Sequence, residues 1–326
     1  MQKIPLASQA RYNKLFLPLY PLAFETLDLR GYDVVVSSST RFAHGILTTP
    51  ETCHLCYCHS PSRFAWRYHE YITEGDFGRL SKIALQPLIH RIRLWDYIAA
   101  QRIECYIANS FNISRRIRKV YGRDSDVVYP PVDIARFRVE ANPKNDYLLI
   151  VSRLLSYKKI DIAIEACNRL KIPLKIVGLG PDMGRLKAMA GPTIELLGRL
   201  PDGGQLAELY SNCRAFLFPG EEDFGIAPVE AMASGRPVIA YRAGGAIETV
   251  IEGRTGLFFD EPTPEAVCDA ITRLEKLSLD PAQICAHAET FSKDAFQRRL
   301  SVLVERRLVE HRARYECISP KHGEQA

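Results

Sequence analysis

What this sequence lacks removes several classes of protein. No unbroken apolar run approaches the ~18–20 residues that a membrane-crossing helix requires. The opening stretch, MQKIPLASQARYNKLF, has no apolar segment ending in a small-residue cleavage site, so no secretory leader is read there. Glycine is absent before Gly31, and no G-x-G-x-x-G follows a first strand, which argues against a nicotinamide-dependent dehydrogenase. No G-x-S-x-G nucleophile elbow occurs. Zinc-finger spacing, an aromatic RNP-like strand and a basic heptad are all missing, so nucleic acid is not an expected partner. The 9 cysteines are odd in number and lack paired spacing, in a chain large enough to fold without staples. Free thiols in a reducing cytoplasm are expected. Cys53, His54, Cys56 and Cys58 crowd one strand, but alternation sends neighbours to opposite faces, so no metal site is expected there.

What is present is an ordinary globular composition, 47 % apolar and 25 % charged over 326 residues. That length suits roughly two domains of about 150 residues. The net charge of +5 is uneven: residues 1–140 hold 19 Lys and Arg against 13 Asp and Glu, while the remainder is near neutral. A basic first half suits an anionic partner, either a phosphorylated substrate or an anionic lipid surface.

Short apolar β-branched runs alternate with helical patterns. Strands are expected at 33–37, 54–58, 104–108, 126–129, 147–151, 174–177, 194–197, 215–218 and 237–240, with helices at 160–170 and 204–212 among those between. Strands alternating with helices imply an α/β fold of parallel sheets covered on both faces. The Pro-rich and charged stretch 129–145 reads as a linker. Residues 79–102 read as a basic amphipathic helix that Pro87 kinks or interrupts. Packing on its own sheet is favoured over a membrane surface about two to one.

Chemistry concentrates after the linker. In FPGEEDFGIAPVEAMASGRPVIA (218–240), a strand enters a Pro-Gly turn, two acids and Phe224-Gly225 before a helix begins. Gly225 lets backbone amides approach a ligand, and a helix N-terminus attracts phosphate. Glu222 lies in the loop and Glu230 follows on the helix; an isolated pair at this spacing would more often be a solvated and a locally paired carboxylate. In IVSRLLSYKK (150–159), Arg153 and Lys158 follow a strand at the end where a crevice forms. Two cations there suit a diphosphate, although a lone pair would more often be exposed loop charge. A glycine turn at 178–180 and the small-residue run 243–246 follow two further strands.

Taken together, Arg153/Lys158, the Glu222–Glu230 block and AGGAIETVIEGRTGLFF (243–259) resemble the retaining GT-B glycosyltransferases of family 4. YCHSPSRFAW (57–66), SRLLSYKKIDIAIEA (152–166) and FPGEEDFGIAPVEA (218–231) are similar to bacterial mannosyltransferases of O-antigen, lipopolysaccharide and exopolysaccharide assembly. The resemblance implies two doubly wound, Rossmann-like domains facing across a cleft. An acceptor-side domain is expected over 1–140, a nucleotide-sugar domain over 141–292, and a helix over 293–312 crossing back to the first. It implies that Arg153 and Lys158 hold the donor diphosphate and stabilise the leaving nucleotide, so that no metal or other cofactor is needed. Glu230 would bind the ribose hydroxyls, and Glu222 the donor sugar with the amides of Gly225 and Ile226 nearby. Gly198 and Arg199 would hold the base, and His59 would face the reacting sugar.

The implied reaction moves a hexose, mannose from GDP-mannose, with retention onto a lipid-linked or polysaccharide acceptor. It would occur in the cytoplasm, at the inner face of the plasma membrane. Members of this family open with a strand, a Gly-Gly loop and a helix, whereas residues 1–30 read as a loop and a helix. The N-terminal domain is therefore expected to be incomplete, with two strand edges exposed, either because the true start lies upstream or because this is a shortened copy. A non-catalytic nucleotide-sugar-binding remnant is the alternative. The polar residues after Arg314 are expected to be disordered.

Overall fold

The structure, a computed structural model, describes residues 19–67, 79–200 and 203–318. Its contacts divide the chain into two compact units: residues 1–128 with 299–326, and residues 129–298.

Unit 1 begins in the described residues with helix α1 (Tyr20–Glu25) and strand β1 (Val34–Ser39). Then come β2 (Cys53–Cys58), α2 (Arg63–Trp66), α3 (Arg79–Ala100), β3 (Cys105–Ala108), α4 (Phe111–Tyr121) and β4 (Ser125–Val127). The four strands are parallel and lie in the order β1-β2-β3-β4. Every residue of β2 and β3 is buried, as expected of unalternating apolar strands covered on both faces. β1 is an edge strand, and its Val36 is 45 % exposed.

Helix α3 runs through Pro87 without a break, so of the expected kink or interruption the interruption does not occur. Pro87 is exposed, so water can serve the carbonyl that loses its amide partner. The helix buries Ile89, Ile92, Asp96, Ala99 and Ala100. It leaves His90, Arg91, Leu94, Tyr97 and Ile98 exposed on one stripe. Helix α4 starts where the Ser110 hydroxyl accepts from the Ile113 amide at 3.1 Å, and it ends on left-handed Gly122.

Unit 2 contains β5 (Leu148–Val151), α5 (Ile160–Leu170), β6 (Leu174–Val177), α6 (Met183–Met189), β7 (Ile194–Gly198) and α7 (Gly203–Asn212). It continues with β8 (Ala215–Phe218), α8 (Ile226–Ala233), β9 (Val238–Tyr241), α9 (Ala246–Thr249), β10 (Gly256–Phe259), α10 (Pro264–Glu275) and α11 (Pro281–Glu289). The six parallel strands lie in the order β10-β9-β8-β5-β6-β7. This is the doubly wound order, in which the chain direction across the sheet reverses between β5 and β8. Apolar clusters cover both faces. Phe216, Val229, Met232 and Ile284 belong to one, and Ile150, Ile164, Leu217 and Ile271 to the other.

All nine expected strands are present, and β10 is an addition that its four apolar residues, Gly256–Phe259, did not announce. The α/β class with two parallel sheets is as expected. Helix α12 (Lys293–Ile318) outlasts the expected helix, so residues 315–318 are helical where disorder was expected. In unit 1 it is tied to Asp126, which accepts from Arg306 at 2.9 Å and Arg307 at 2.5 Å. Of the expected terminal segments, residues 1–18 and 319–326 lie outside the described residues. No helix among the described residues is long and apolar enough to cross a membrane.

Candidate active site

At the carboxyl ends of β5 and β8, where the strand order reverses, two loops carry most of the residues expected to act. Arg153 and Lys158 lie on the loop after β5; Glu222 and Gly225 lie on the loop after β8. Adjacent strands bring these loops together, and glycines let their backbones touch. A Cβ on Gly220 would lie 2.7 Å from the Lys158 Cα, and one on Gly245 would lie 2.3 Å from the Phe224 Cα. The Gly245 amide also donates to the Glu222 carbonyl at 2.8 Å, joining the loop after β9 to the loop after β8.

Lys158 and Glu222 form an ion pair. The Lys158 side chain is 11 % exposed and that of Glu222 28 %, so the pair is largely withdrawn from water. The expectation that Glu222 would stand solvated if it had no ligand role is thereby replaced by a cation–carboxylate contact. Arg153 is exposed. It lines a cavity of about 460 Å³ together with Val151, Gly178, Arg199, Gly203 and Leu206. Gly198, the last residue of β7, has a positive φ of 67° and passes the chain into Arg199 at that cavity.

Gly225 caps α8 with φ +91°, and no side chain caps the helix start at Ile226. The positive φ suits glycine, and the first-turn amides stay free of side-chain caps. Glu230 is half-buried one turn further on, and burial raises its pKa above the ordinary carboxylate value. The Tyr210 hydroxyl donates to Glu230 Oε2 at 2.8 Å and favours the charged form, as does the charge of Arg136.

His59 belongs to unit 1, apart from the other candidates in the chain's division. It follows β2, with Nε2 at 2.9 Å from Ser38 Oγ and the Tyr57 ring edge-on at 5.1 Å. Burial lowers its pKa, so the neutral imidazole is favoured. No group of three or more metal-ligating side chains gathers among the described residues. Cys53, Cys56, Cys58, Cys105, Cys167, Cys213, Cys268 and Cys285 are free thiols. Burial pushes Cys56, Cys105, Cys167 and Cys213 up to about 12, which keeps them unreactive.

Two residues of this region have no counterpart among those expected. Tyr210 reaches Glu230 from α7, and Arg136 reaches Gly203, where a Cβ would lie 2.2 Å from the Arg136 Nη2. A tyrosine seven residues into an amphipathic helix reads as core, and an arginine in a charged linker reads as solvated. Neither local pattern contains a signal.

The model of the family described as glycosyl transferases group 1 matches residues 132–297. A D-inositol 3-phosphate glycosyltransferase of Rhodococcus opacus is 29 % identical over 225 residues, covering 57 % of this chain and 49 % of its own length. A GDP-mannose-dependent alpha-mannosyltransferase of Corynebacterium glutamicum is 37 % identical over 142 residues, covering 43 % of this chain and 34 % of its own. The chain thus spans about half or less of these curated relatives. Among solved structures, sucrose-phosphate synthase from Thermosynechococcus elongatus superposes with a TM-score of 0.68 at 20 % identity. That superposition covers 90 % of this chain and 79 % of the other, a likeness of fold.

Proposed function

The chain belongs to the glycosyl transferases group 1 family, and from that premise we propose that it transfers a hexose, mannose from GDP-mannose, with retention of configuration onto a lipid-linked or polysaccharide acceptor of the cell surface. The observation that carries this reading is the ion pair of Lys158 with Glu222 between two loops at the reversal of strand order, with Arg153, on the first of those loops, lining a cavity of about 460 Å³. Ligands of doubly wound sheets bind at such a reversal, outside the carboxyl ends of the strands. The mannosyl donor is supported by the similarity to a GDP-mannose-dependent enzyme.

When the bond from the sugar to the diphosphate breaks, negative charge grows on the departing nucleotide. Arg153 and Lys158 supply preorganised cations for it, which is the work a metal ion does elsewhere. Lys158 is held by Glu222 beforehand. Arrival of the diphosphate gives the ammonium a stronger anionic partner and frees the Glu222 carboxylate to accept from sugar hydroxyls. The amides of Gly225 and Ile226 face the same ligand from the start of α8. Gly198 and Arg199 hold the base, and Glu230 accepts from the ribose hydroxyls. His59, favoured as neutral imidazole, exchanges hydrogen bonds with the reacting sugar rather than repelling positive charge at its anomeric carbon.

Association with an anionic membrane surface at the cytoplasmic face belongs to the same reading. The exposed stripe of α3 places Leu94, Tyr97 and Ile98 beside His90 and Arg91. Apolar and basic side chains on one wet face suit the lipid headgroup region.

Calorimetric titration with GDP, UDP and their sugar conjugates tests the donor assignment. GDP and GDP-mannose are expected to bind, and Lys158→Ala to remove the binding. Binding of UDP alone would overturn the guanine assignment, and a folded chain that takes neither nucleotide would overturn the donor site. Sedimentation with anionic liposomes at low salt tests the surface: retention that Leu94→Glu abolishes is expected, and indifference to the liposomes rejects it.

A further inference from the structure

Tyr210 is completely buried, yet its hydroxyl is spent on a single carboxylate at the edge of the candidate site. Its ring packs edge-on against Phe137 at 5.4 Å and beside Phe216 at 5.7 Å, so the phenol has one direction open to it. Along α7, Gly203, Leu206 and Tyr210 recur at helical spacing, and the first two line the cavity that contains Arg153 and Arg199. The same helix face therefore forms a wall of the cavity and anchors Glu230. Oε2 of Glu230 accepts from Tyr210, and no hydrogen bond to Oε1 is found among the described residues. A carboxylate with one oxygen fixed by a buried donor and the other left over is oriented before any ligand arrives.

We propose that Tyr210 is a positioning residue for nucleotide recognition: it fixes one oxygen of Glu230 so that the other meets the vicinal ribose hydroxyls of a nucleoside diphosphate. The proposal rests on Glu230 being the ribose ligand, as read above. A purely structural role, in which Tyr210 borrows Glu230 to satisfy its own buried hydroxyl, would affect all nucleotides alike.

Burial raises the Glu230 pKa, while the Tyr210 hydrogen bond and the Arg136 charge lower it. Cys213 and Glu222 act in turn on the phenol. Ribose hydroxyls donate best to the ionised carboxylate, so loss of the phenol carries a pH signature as well as a loss of affinity.

The test titrates the full chain with GDP and 2′,3′-dideoxy-GDP across pH, with UDP and 2′,3′-dideoxy-UDP in parallel. The variants are Tyr210→Phe, Glu230→Gln and the double substitution, each checked for folding by circular dichroism. Tyr210→Phe is expected to weaken the ribonucleotide on the order of tenfold, the scale of a hydrogen bond to a charged group. It should leave the dideoxy form unchanged and move the acid loss of affinity to higher pH. Added to Glu230→Gln, it should cost nothing more. If Glu230→Gln keeps the preference for ribose, the ribose assignment itself fails. If Glu230→Gln loses that preference while Tyr210→Phe keeps it with an unshifted pH profile, only the role of Tyr210 fails. Equal weakening of ribo and dideoxy forms, or failure of Tyr210→Phe to fold, assigns the hydroxyl to structure and overturns the proposal.

Discussion

In unit 2 the strand order turns back on itself between β5 and β8, whereas the four described strands of unit 1 follow one another from β1 to β4. The polar groups differ in the same sense. Unit 2 gathers its charges at loop ends beside a cavity, with Lys158 against Glu222 and Arg153 with Arg199 on the lining. Unit 1 buries several of its polar groups away from any such cavity. His44 and Asp96 are buried together, and Asp96 accepts from Trp66 Nε1 at 2.7 Å and Tyr121 Oη at 2.8 Å. A reversal of strand order opens a crevice at the sheet's end, where polar side chains can reach a ligand. Without one in the described strands, polar groups at the strand ends of unit 1 pair with one another, as His59 does with Ser38, His44 with Ser39 and Ser110 with Asn109.

The largest expected effect separates donor chemistry from the rest. Lys158→Ala should lower transfer from GDP-mannose by 10²–10³-fold, the order found when one charge-stabilising group is removed from a transition state. It should also abolish GDP binding in the calorimeter. His59→Ala should leave GDP affinity intact and reduce transfer alone; a loss of GDP affinity in that variant would break the division between the units.

The second effect is an acid sensitivity peculiar to unit 1. His54 is buried with Nε2 at 2.9 Å from Ser37 Oγ, and burial lowers its pKa from 6.5 to about 4. The folded value lies below the unfolded one, so the stability it represents is complete above pH 6.5 and drains as pH falls toward 4. The difference amounts to about 3 kcal/mol. His44 is shifted the same way by burial, while Asp96 is raised and offsets part of the loss at the acid end. Hydrogen exchange read peptide by peptide should show unit 1 opening before unit 2 between pH 6.5 and 4. His54→Asn should flatten that slope.

Third, Gly245→Ala should destabilise unit 2 by about 1–3 kcal/mol, because the new methyl overlaps the Phe224 backbone. Gly184→Ala, with nothing within 4 Å, should be neutral or stabilising within α6. Thermal melts compare the two directly, and an unperturbed Gly245→Ala would mean that the loops are not in backbone contact.

The smallest effects test whether the units melt separately. Ser110→Ala and Thr263→Ala each remove a helix cap, the latter accepting from the Ala266 amide at 3.3 Å. Each should cost about 1 kcal/mol. Two calorimetric transitions should respond one to each variant; a single transition moved by both would make the units one cooperative block.

Much of the fold was legible because its signals are local. Nine strands appeared as short unalternating apolar runs between helical patterns. β10 escaped because GLFF follows a turn with no helical pattern immediately before it. Arg153, Lys158, Glu222, Gly225 and Glu230 were legible as residue types at strand ends and helix starts. Their neighbours Tyr210 and Arg136 were not, since an amphipathic helix and a charged linker look the same whether or not they touch a site. The length of α12 was also hidden: polar residues past Arg314 read as tail, yet the helical hydrogen bonds run on to Ile318.

By itself, then, the sequence determined the alternation of strands and helices, the glycine-bearing loops and the charge each loop would carry, because apolar periodicity and backbone preference act over a few residues. The tertiary structure decided which loops became neighbours. Only the pairing of β8 beside β5 put Glu222 on Lys158, and only the packing of α7 on α8 put a buried phenol against Glu230. Such contacts are chosen by strand order and by the need of every buried polar group for a partner, and neither is a local property of the chain.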